Sequence, residues 1–298
     1  MIEIKNLSLS LDGQNNILKN INLKMEKGKI YGLIGPNGVG KTTLIKCLTG
    51  IYEPNIGKVF YDGINVYNSS EVKGKIAYVA DENNFFSSFT IEKIIEYFSL
   101  AYEKFDKKRF EEMNSFFKID IKKKYNQLSK GQRIRIYLMI ALAQNSDYII
   151  LDEPTAGLDP ILKNKLLYLL QKEREDREVT IIISSHHLNE LEKICDDVII
   201  VNNGEISYVN TLENMKNKIK KIQVAFDMPV YEEDLNIEGI FKISRVGRVF
   251  TIITDDYSEV FLEKLKKFNP LFIEEIDLTL EDIFIYRVEK EDMHEEIC

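Results

Sequence analysis

Between residues 2 and 23, apolar positions recur at nearly every second residue: Ile2, Ile4, Leu7, Leu9 and Leu11, then Ile17, Ile21 and Leu23. A period of two puts one set of side chains on one face of a strand. With turns supplied by Asp12-Gly13 and Gly28, the region predicts antiparallel strands. The pattern then changes. Lys29 to Ile34 reads as a short buried strand ending in glycine, followed by a helix from Lys41 to about Thr49 that Gly50 stops. Further apolar strands are predicted at 75–80, at Tyr148 to Leu151 and at Val179 to Ile183, the last two flanking a helix over about 160–176. Continuous Ile/Val/Leu runs separated by helices describe a mostly parallel sheet buried on both faces.

From Thr90 to Asn145 the period is helical, carried by Ile91, Ile94, Ile95, Phe98, Phe105, Phe110, Met113, Phe116 and Phe117. Aromatic residues at this spacing read as helix core rather than as a ligand box. Past residue 212 the texture shifts again. Strands at 221–227, 239–246 and 249–254, a helix near 258–268, a strand at 271–276 and a final helix from about 279 predict a small separate α+β domain. The expected division is residues 1–212 and 213–298, with helices over about 88–147 inserted in the first part.

Length and composition agree with this picture: 298 residues, 44% hydrophobic and 30% charged, describe a folded chain of about two domains. A net charge of -8 argues against nucleic acid as a partner, since such domains carry a basic footprint. The one basic cluster, Lys216, Lys218, Lys220 and Lys221, falls near the expected boundary and reads as a solvated linker face. Cys47, Cys195 and Cys298 are far apart and without metal-ligand spacing, which fits free thiols in a reducing compartment. Met1-Ile2-Glu3-Ile4 has neither a basic nor an apolar leader region, so no signal peptide is expected. No apolar run approaches the ~20 residues that span a bilayer.

The candidate chemistry begins where the first buried strand ends. Gly35-Pro36-Asn37-Gly38-Val39-Gly40-Lys41-Thr42, followed by Thr43, matches the G-x-x-x-x-G-K-[ST] loop. Its glycines let successive backbone N–H groups turn inward onto phosphate oxygens, and the helix that follows presents its positive end to the same anion. Lys41 is expected on the β- and γ-phosphates of a nucleotide, and the Thr42 hydroxyl on Mg²⁺. A second strand, Tyr148-Ile-Ile-Leu-Asp152-Glu153, ends in two acids that alternate in direction and so serve different purposes. Asp152 is expected to hold Mg²⁺ through its water shell, and Glu153 to orient or deprotonate the attacking water. Leu128-Ser129-Lys130-Gly131-Gln132 opens a helix. By itself it is an ordinary Ser N-cap that could also take an anion.

Together with Pro154-Thr-Ala-Gly-Leu-Asp159 and Ile183-Ser-Ser-His186, these segments closely resemble, in order and over about residues 1–210, the ATPase domain of the ABC (ATP-binding cassette) superfamily. The resemblance implies an α/β P-loop NTPase core with a mostly parallel sheet, an N-terminal antiparallel β subdomain and an inserted helical subdomain, here followed by the small C-terminal α+β domain. It implies ATP and Mg²⁺, and two such domains paired head to tail, either as two copies of this chain or as this chain with a second ATPase. Ser129 and Gly131, with Gln132 beside them, would then face the γ-phosphate bound by the partner subunit. Asp159 would shape the dimer contact, and His186 would hold the γ-phosphate. His187 should point the opposite way if the segment is extended.

Three departures from the family's pattern stand out. Asp81, followed by Glu82, occupies the place of a Mg²⁺-ligating glutamine; it could still bind a hard cation but adds negative charge. Lys130 replaces a glycine. Leu11 aligns with an adenine-stacking aromatic, leaving adenine on aliphatic surface or on a neighbouring tyrosine.

A single cassette without membrane spans is similar to the separate ATPase subunit of a bacterial transporter. It would sit in the cytoplasm, on the inner membrane face, through a polytopic permease, whose helix would dock beside Phe85, Phe86 and Phe89. Leu278-Thr-Leu-Glu281-Asp282-Ile-Phe284 is similar to the closing segment of drug, antibiotic and sodium exporters. The alternative is a soluble ABC-type ATPase acting in translation or regulation.

Overall fold

The period-two stretch at the start of the chain folds as β1 (Ile2–Ser10) and β2 (Asn16–Met25), antiparallel partners in the register Ile2 to Met25 and Leu9 to Leu18. The computed structural model describes residues 1–81 and 86–286. β3 (Ile30–Ile34) is buried along its whole length and runs through the glycine-rich loop into α1 (Lys41–Leu48). Then come β4 (Ile56–Tyr61), β5 (Ile64–Asn65), α2 (Ser70–Gly74) and β6 (Ile76–Val79). Three helices follow, α3 (Ile91–Ala101), α4 (Lys107–Phe117) and α5 (Lys130–Ala143). The chain continues with β7 (Tyr148–Asp152), α6 (Pro160–Arg177), β8 (Thr180–Ser184), α7 (Leu188–Leu191), β9 (Asp197–Asn202) and β10 (Glu205–Thr211).

Contacts divide the chain into two units, Met1–Val209 and Asn210–Cys298. In the first, β2-β1-β4-β5 form an antiparallel sheet and β10-β9-β3-β8-β7-β6 a six-stranded one. Within the latter β9, β3, β8, β7 and β6 are parallel neighbours. Leu44, Ile45 and Leu48 of α1 share one core with Ile4, Leu7 and Leu23 of the antiparallel sheet and with Ile150, Ile182 and Ile199 of the parallel one. The helix that carries the loop is therefore fixed between two sheets.

The 90–145 region is helical but interrupted. Thr90, Asp106 and Ser129 cap the three helices, each side chain accepting a backbone N–H of the first turn. α5 is buried at every position from Ile136 to Ala143, as a helix apolar all round must be. Phe110 lies in the core as its spacing implies, but Phe116 is 57% exposed, because it sits on the outer face of α4, where the Lys165 ammonium of α6 covers its ring. Phe116 is thus a correction to the all-core reading of this aromatic stretch.

α4 is tied to α6 by charge. Glu173, only 5% exposed, accepts from Arg177 Nη1 at 2.9 Å and pairs with Arg109, whose Nη1 donates to Asn145 Oδ1 at 2.8 Å.

The second unit holds α8 (Leu212–Lys218), β11 (Lys220–Phe226), β12 (Ile240–Val246), β13 (Val249–Thr254), α9 (Glu259–Lys266) and β14 (Pro270–Ile276), with helix again over 280–286. Its antiparallel sheet has the order β12-β13-β11-β14, and Phe261 and Leu265 of α9 pack on Ile222, Val224, Phe250 and Ile252. The basic cluster is not a solvated linker. Lys220 pairs with Glu275 at 2.6 Å, and Lys221 donates to both oxygens of Asp282 at 3.0 and 2.9 Å. Asp282 in turn accepts from the Thr279 N–H while Thr279 Oγ1 accepts from the Asp282 N–H, a reciprocal cap on the last helix. The Leu278–Phe284 motif therefore has a structural purpose in helix capping.

Replacing Glu173 by alanine leaves two guanidiniums facing each other without their carboxylate. Urea denaturation should show a loss of about 2–3 kcal/mol, under the full penalty of a broken buried pair because both arginines reach solvent.

Candidate active site

The glycine-rich loop is shaped by what surrounds it. A Cβ on Gly35 would lie 2.2 Å from the Val201 carbonyl oxygen of β9, so no other residue fits there. Gly40, at φ 107, is the N-cap of α1 and offers no side-chain cap, which leaves the first N–H groups of the helix free for an anion. Pro36, Asn37, Gly38 and Thr42 are exposed, Val39 and Thr43 half-buried, and Lys41 is buried. Lys41 Nζ donates to the carbonyl oxygens of Gly35 (2.8 Å) and Pro36 (2.9 Å). Burial pulls its ammonium below the usual lysine value, and the nearby charges of Glu153 and Asp152 oppose that shift.

Parallel register brings the acids to the same edge. Ser184 lies beside Leu33 on one side and Asp152 on the other. Its hydroxyl donates to Asp152 Oδ1 at 2.6 Å and accepts from the Glu153 N–H at 3.0 Å. Asp152 is buried at the end of β7, whereas Glu153 leaves the strand in the left-handed conformation, φ 50. That turn carries its carboxyl to His186, whose Nδ1 lies 2.8 Å from Glu153 Oε2. A carboxylate only accepts, so Nδ1 carries the proton.

His187 does not point away from His186. The chain bends after β8, and the two rings lie 4.0 Å apart between centroids. The extended segment that would have separated them ends at Ser184.

The remaining predicted residues form a second group. Ser129 Oγ accepts from the Gln132 N–H at 3.3 Å and Gln132 Oε1 accepts from the Ser129 N–H at 3.0 Å, so both side chains make the capping box of α5. A Cβ on Gly131 would lie 3.1 Å from the Gly157 carbonyl oxygen, which sets the start of α5 against the turn after Glu153. Asp159 accepts the N–H groups of Ile161 and Leu162, both at 3.0 Å, as N-cap of α6. Asp81 pairs with Lys130, while Glu82 and Phe85 lie outside the described residues. Leu11, 58% exposed, sits at the tip of the β1–β2 hairpin, whose return strand packs Ile17 and Leu18 against Gly40.

The family model described as "ABC transporter" matches residues 18–156. The ABC transporter ATP-binding protein YtrB of Bacillus subtilis is 32% identical over 288 residues, 96% of this chain and 97% of its own length. The chain belongs to the ABC transporter ATPase family. A methionine import ATP-binding protein, MetN 1 of Bacillus licheniformis, is 32% identical to this cassette over 77% of the chain and 74% of its own length. A solved dimeric ATP-binding cassette in a post-hydrolysis state, bound to ADP and Pi, superposes with TM-score 0.62 at 26% identity, covering 71% of this chain and 99% of that one. The cassette is thus an ATPase and the ATP-binding subunit type of ABC transporters.

Mg²⁺, which ABC ATPases bind with ATP, suits the donors at this edge. The Thr42 hydroxyl and the Asp152 carboxylate are hard oxygen ligands, and they would hold it with phosphate and water completing the shell. Among the described residues no cluster of three or more His, Cys, Asp or Glu stands ready to hold a metal alone.

Ser184, whose hydroxyl positions both acids, was not singled out in the sequence; its only signal was the serine closing an apolar strand. Ser184→Ala should lower Mg²⁺-dependent ATPase activity roughly tenfold or more while leaving the melting transition nearly unchanged, as losses of supporting hydrogen bonds around metal ligands do. Unaltered Mg²⁺ dependence would remove the serine from the site.

Proposed function

We propose that this chain is the ATP-hydrolysing subunit of a membrane exporter, working as a head-to-tail pair of cassettes on the cytoplasmic face of the membrane, with residues 213–298 as an accessory domain. The observation that carries the hydrolytic part is the Glu153–His186 contact beside Lys41 and Asp152.

In this reading the uncapped N–H groups of α1 and the Lys41 ammonium grip the triphosphate. Lys41 exchanges the carbonyls of Gly35 and Pro36 for phosphate oxygens. Thr42 and Asp152 would hold Mg²⁺, which would supply charge neutralisation at the phosphates. Glu153 aligns the attacking water and takes its proton, while His186 fixes the carboxyl and lies toward the γ-phosphate. Ser129 and Gly131 serve the triphosphate on the other copy, with Asp159 at the same contact. Leu11 and the adjoining hairpin carry the adenine on aliphatic surface. Nucleotide binds the closed pair more tightly than the open one and so shifts the population toward closure.

The surface that supports a membrane partner is on the inserted helices. Phe89, Tyr97 and Leu100 are exposed beside a ring cluster of Phe86, Phe98 and Tyr102. An amphipathic cytoplasmic helix of a permease would bury this patch. Among the described residues no helix is long and apolar enough to cross a membrane. Export rather than import is supported by the closing Leu278–Phe284 segment.

Glu153→Gln should bind ATP, lose turnover by about 10²–10⁴-fold and accumulate as a dimer in sedimentation. Wild-type turnover in that variant would sink the catalytic assignment. The transport reading is tested by affinity purification from native membranes. A polytopic membrane protein should copurify, and with it in inverted vesicles ATP should drive substrate into the lumen. Recovery with ribosomes instead would establish the translation alternative.

A further inference from the structure

Two residues that depart from the family's usual pattern meet in this chain. Lys130 Nζ lies 3.1 Å from Asp81 Oδ1. Where each partner sits gives the contact its interest. β6 runs parallel to β7 with Val79 beside Leu151, so the segment bearing Asp81 leaves the sheet at the edge where Asp152 and Glu153 stand. The Tyr78 phenol, raised above its usual value chiefly by burial, also feels both the Asp152 and the Asp81 charge. Lys130 is the first residue of α5, directly after the Ser129 cap. The pair therefore joins the acid edge of one copy to the segment by which that copy serves the other site.

The two ends of the inserted helices are held very differently. At the α4 end the buried Arg109–Glu173–Arg177 cluster fixes them to α6. At the α5 start the described ionic link is the Asp81–Lys130 pair, with side chains 43% and 53% exposed. Exposed pairs of this kind contribute little and exchange readily. A triphosphate, with several charged oxygens, outcompetes a single carboxylate for an ammonium within reach.

We propose that Lys130 is a shared cation, held by Asp81 within the free subunit and transferred to the triphosphate bound on the partner copy when the two cassettes close. This rests on the head-to-tail reading above. Asp81 then acts as a brake on closure and Lys130 as a promoter of it, although the two form one ion pair. A purely structural pair would behave otherwise, since losing either partner would have the same effect.

The test uses the full-length chain carrying Glu153→Gln, with the ATP concentration for half-maximal dimerisation read by sedimentation velocity. Adding Asp81→Asn should lower that concentration about threefold, and adding Lys130→Ala should raise it about fivefold. The combination Asp81→Asn with Lys130→Ala should match Lys130→Ala alone. The charge-swapped pair Asp81→Lys with Lys130→Asp should fail to restore the parent value. Shifts of the same sign, rescue by the swap, or no shift in either single variant would each overturn the proposal. If Glu153→Gln alone stays monomeric with ATP, the head-to-tail reading fails first and takes this inference with it. Melting curves of each variant, matched to the parent, exclude unfolding as the cause of any shift.

Discussion

The site depends on the parallel register of β3, β8, β7 and β6. These strands are nearly continuous apolar segments, the first three buried on every residue, and their pairing sets Leu33 beside Ser184, Ser184 beside Asp152 and Leu151 beside Val79. Their carboxyl ends consequently lie flush, and each opens into a different piece of chemistry: the glycine-rich loop, Asp152 and Glu153, Ser184 to His186, and Asp81. Crevices outside the carboxyl ends of such sheets are where α/β folds bind ligands. The Ser184 hydroxyl then couples neighbouring strands at the point of use, bonding to Asp152 and to the Glu153 N–H.

The inserted helices obey a second constraint. α5 is buried from Ile136 to Ala143, while Lys130 at its start is exposed and Gly131, Gln132 and Arg133 are half-buried. A helix anchored along its length and open at its N-terminus presents backbone N–H groups at a defined place without needing a loop to hold them. The ionic cluster on α4 and α6 makes the far end stiff.

Much of this was legible in the sequence because the chemistry is local. A phosphate loop needs its glycines and lysine in immediate succession, and a buried strand announces itself by an apolar run, so Lys41, Asp152 and the strands that bear them could be read directly. Contacts across the fold could not. Ser184 meets Asp152 only because β8 settles next to β7, and nothing near residue 184 says so. β4, β5 and α2 were missed because they are short and half polar. β10 pairs at the sheet edge without a single fully buried position. Lys220 and Lys221 looked like a charge run because their partners, Glu275 and Asp282, arrive from the end of the chain. Ser129 and Gln132 illustrate a different limit: the pattern that makes their capping box is also the pattern expected of an anion site, and sequence does not separate the two uses.

Glu153 sits at φ 50, a conformation that glycine or asparagine adopts with far less strain. The backbone there disfavours a long side chain, whereas the hydrolysis proposed above uses the carboxylate that this side chain carries. With the hydrolytic role proposed for Glu153, stability and turnover pull this position toward different amino acids. Selection for a sturdier protein alone would drift toward an inert cassette through a single codon.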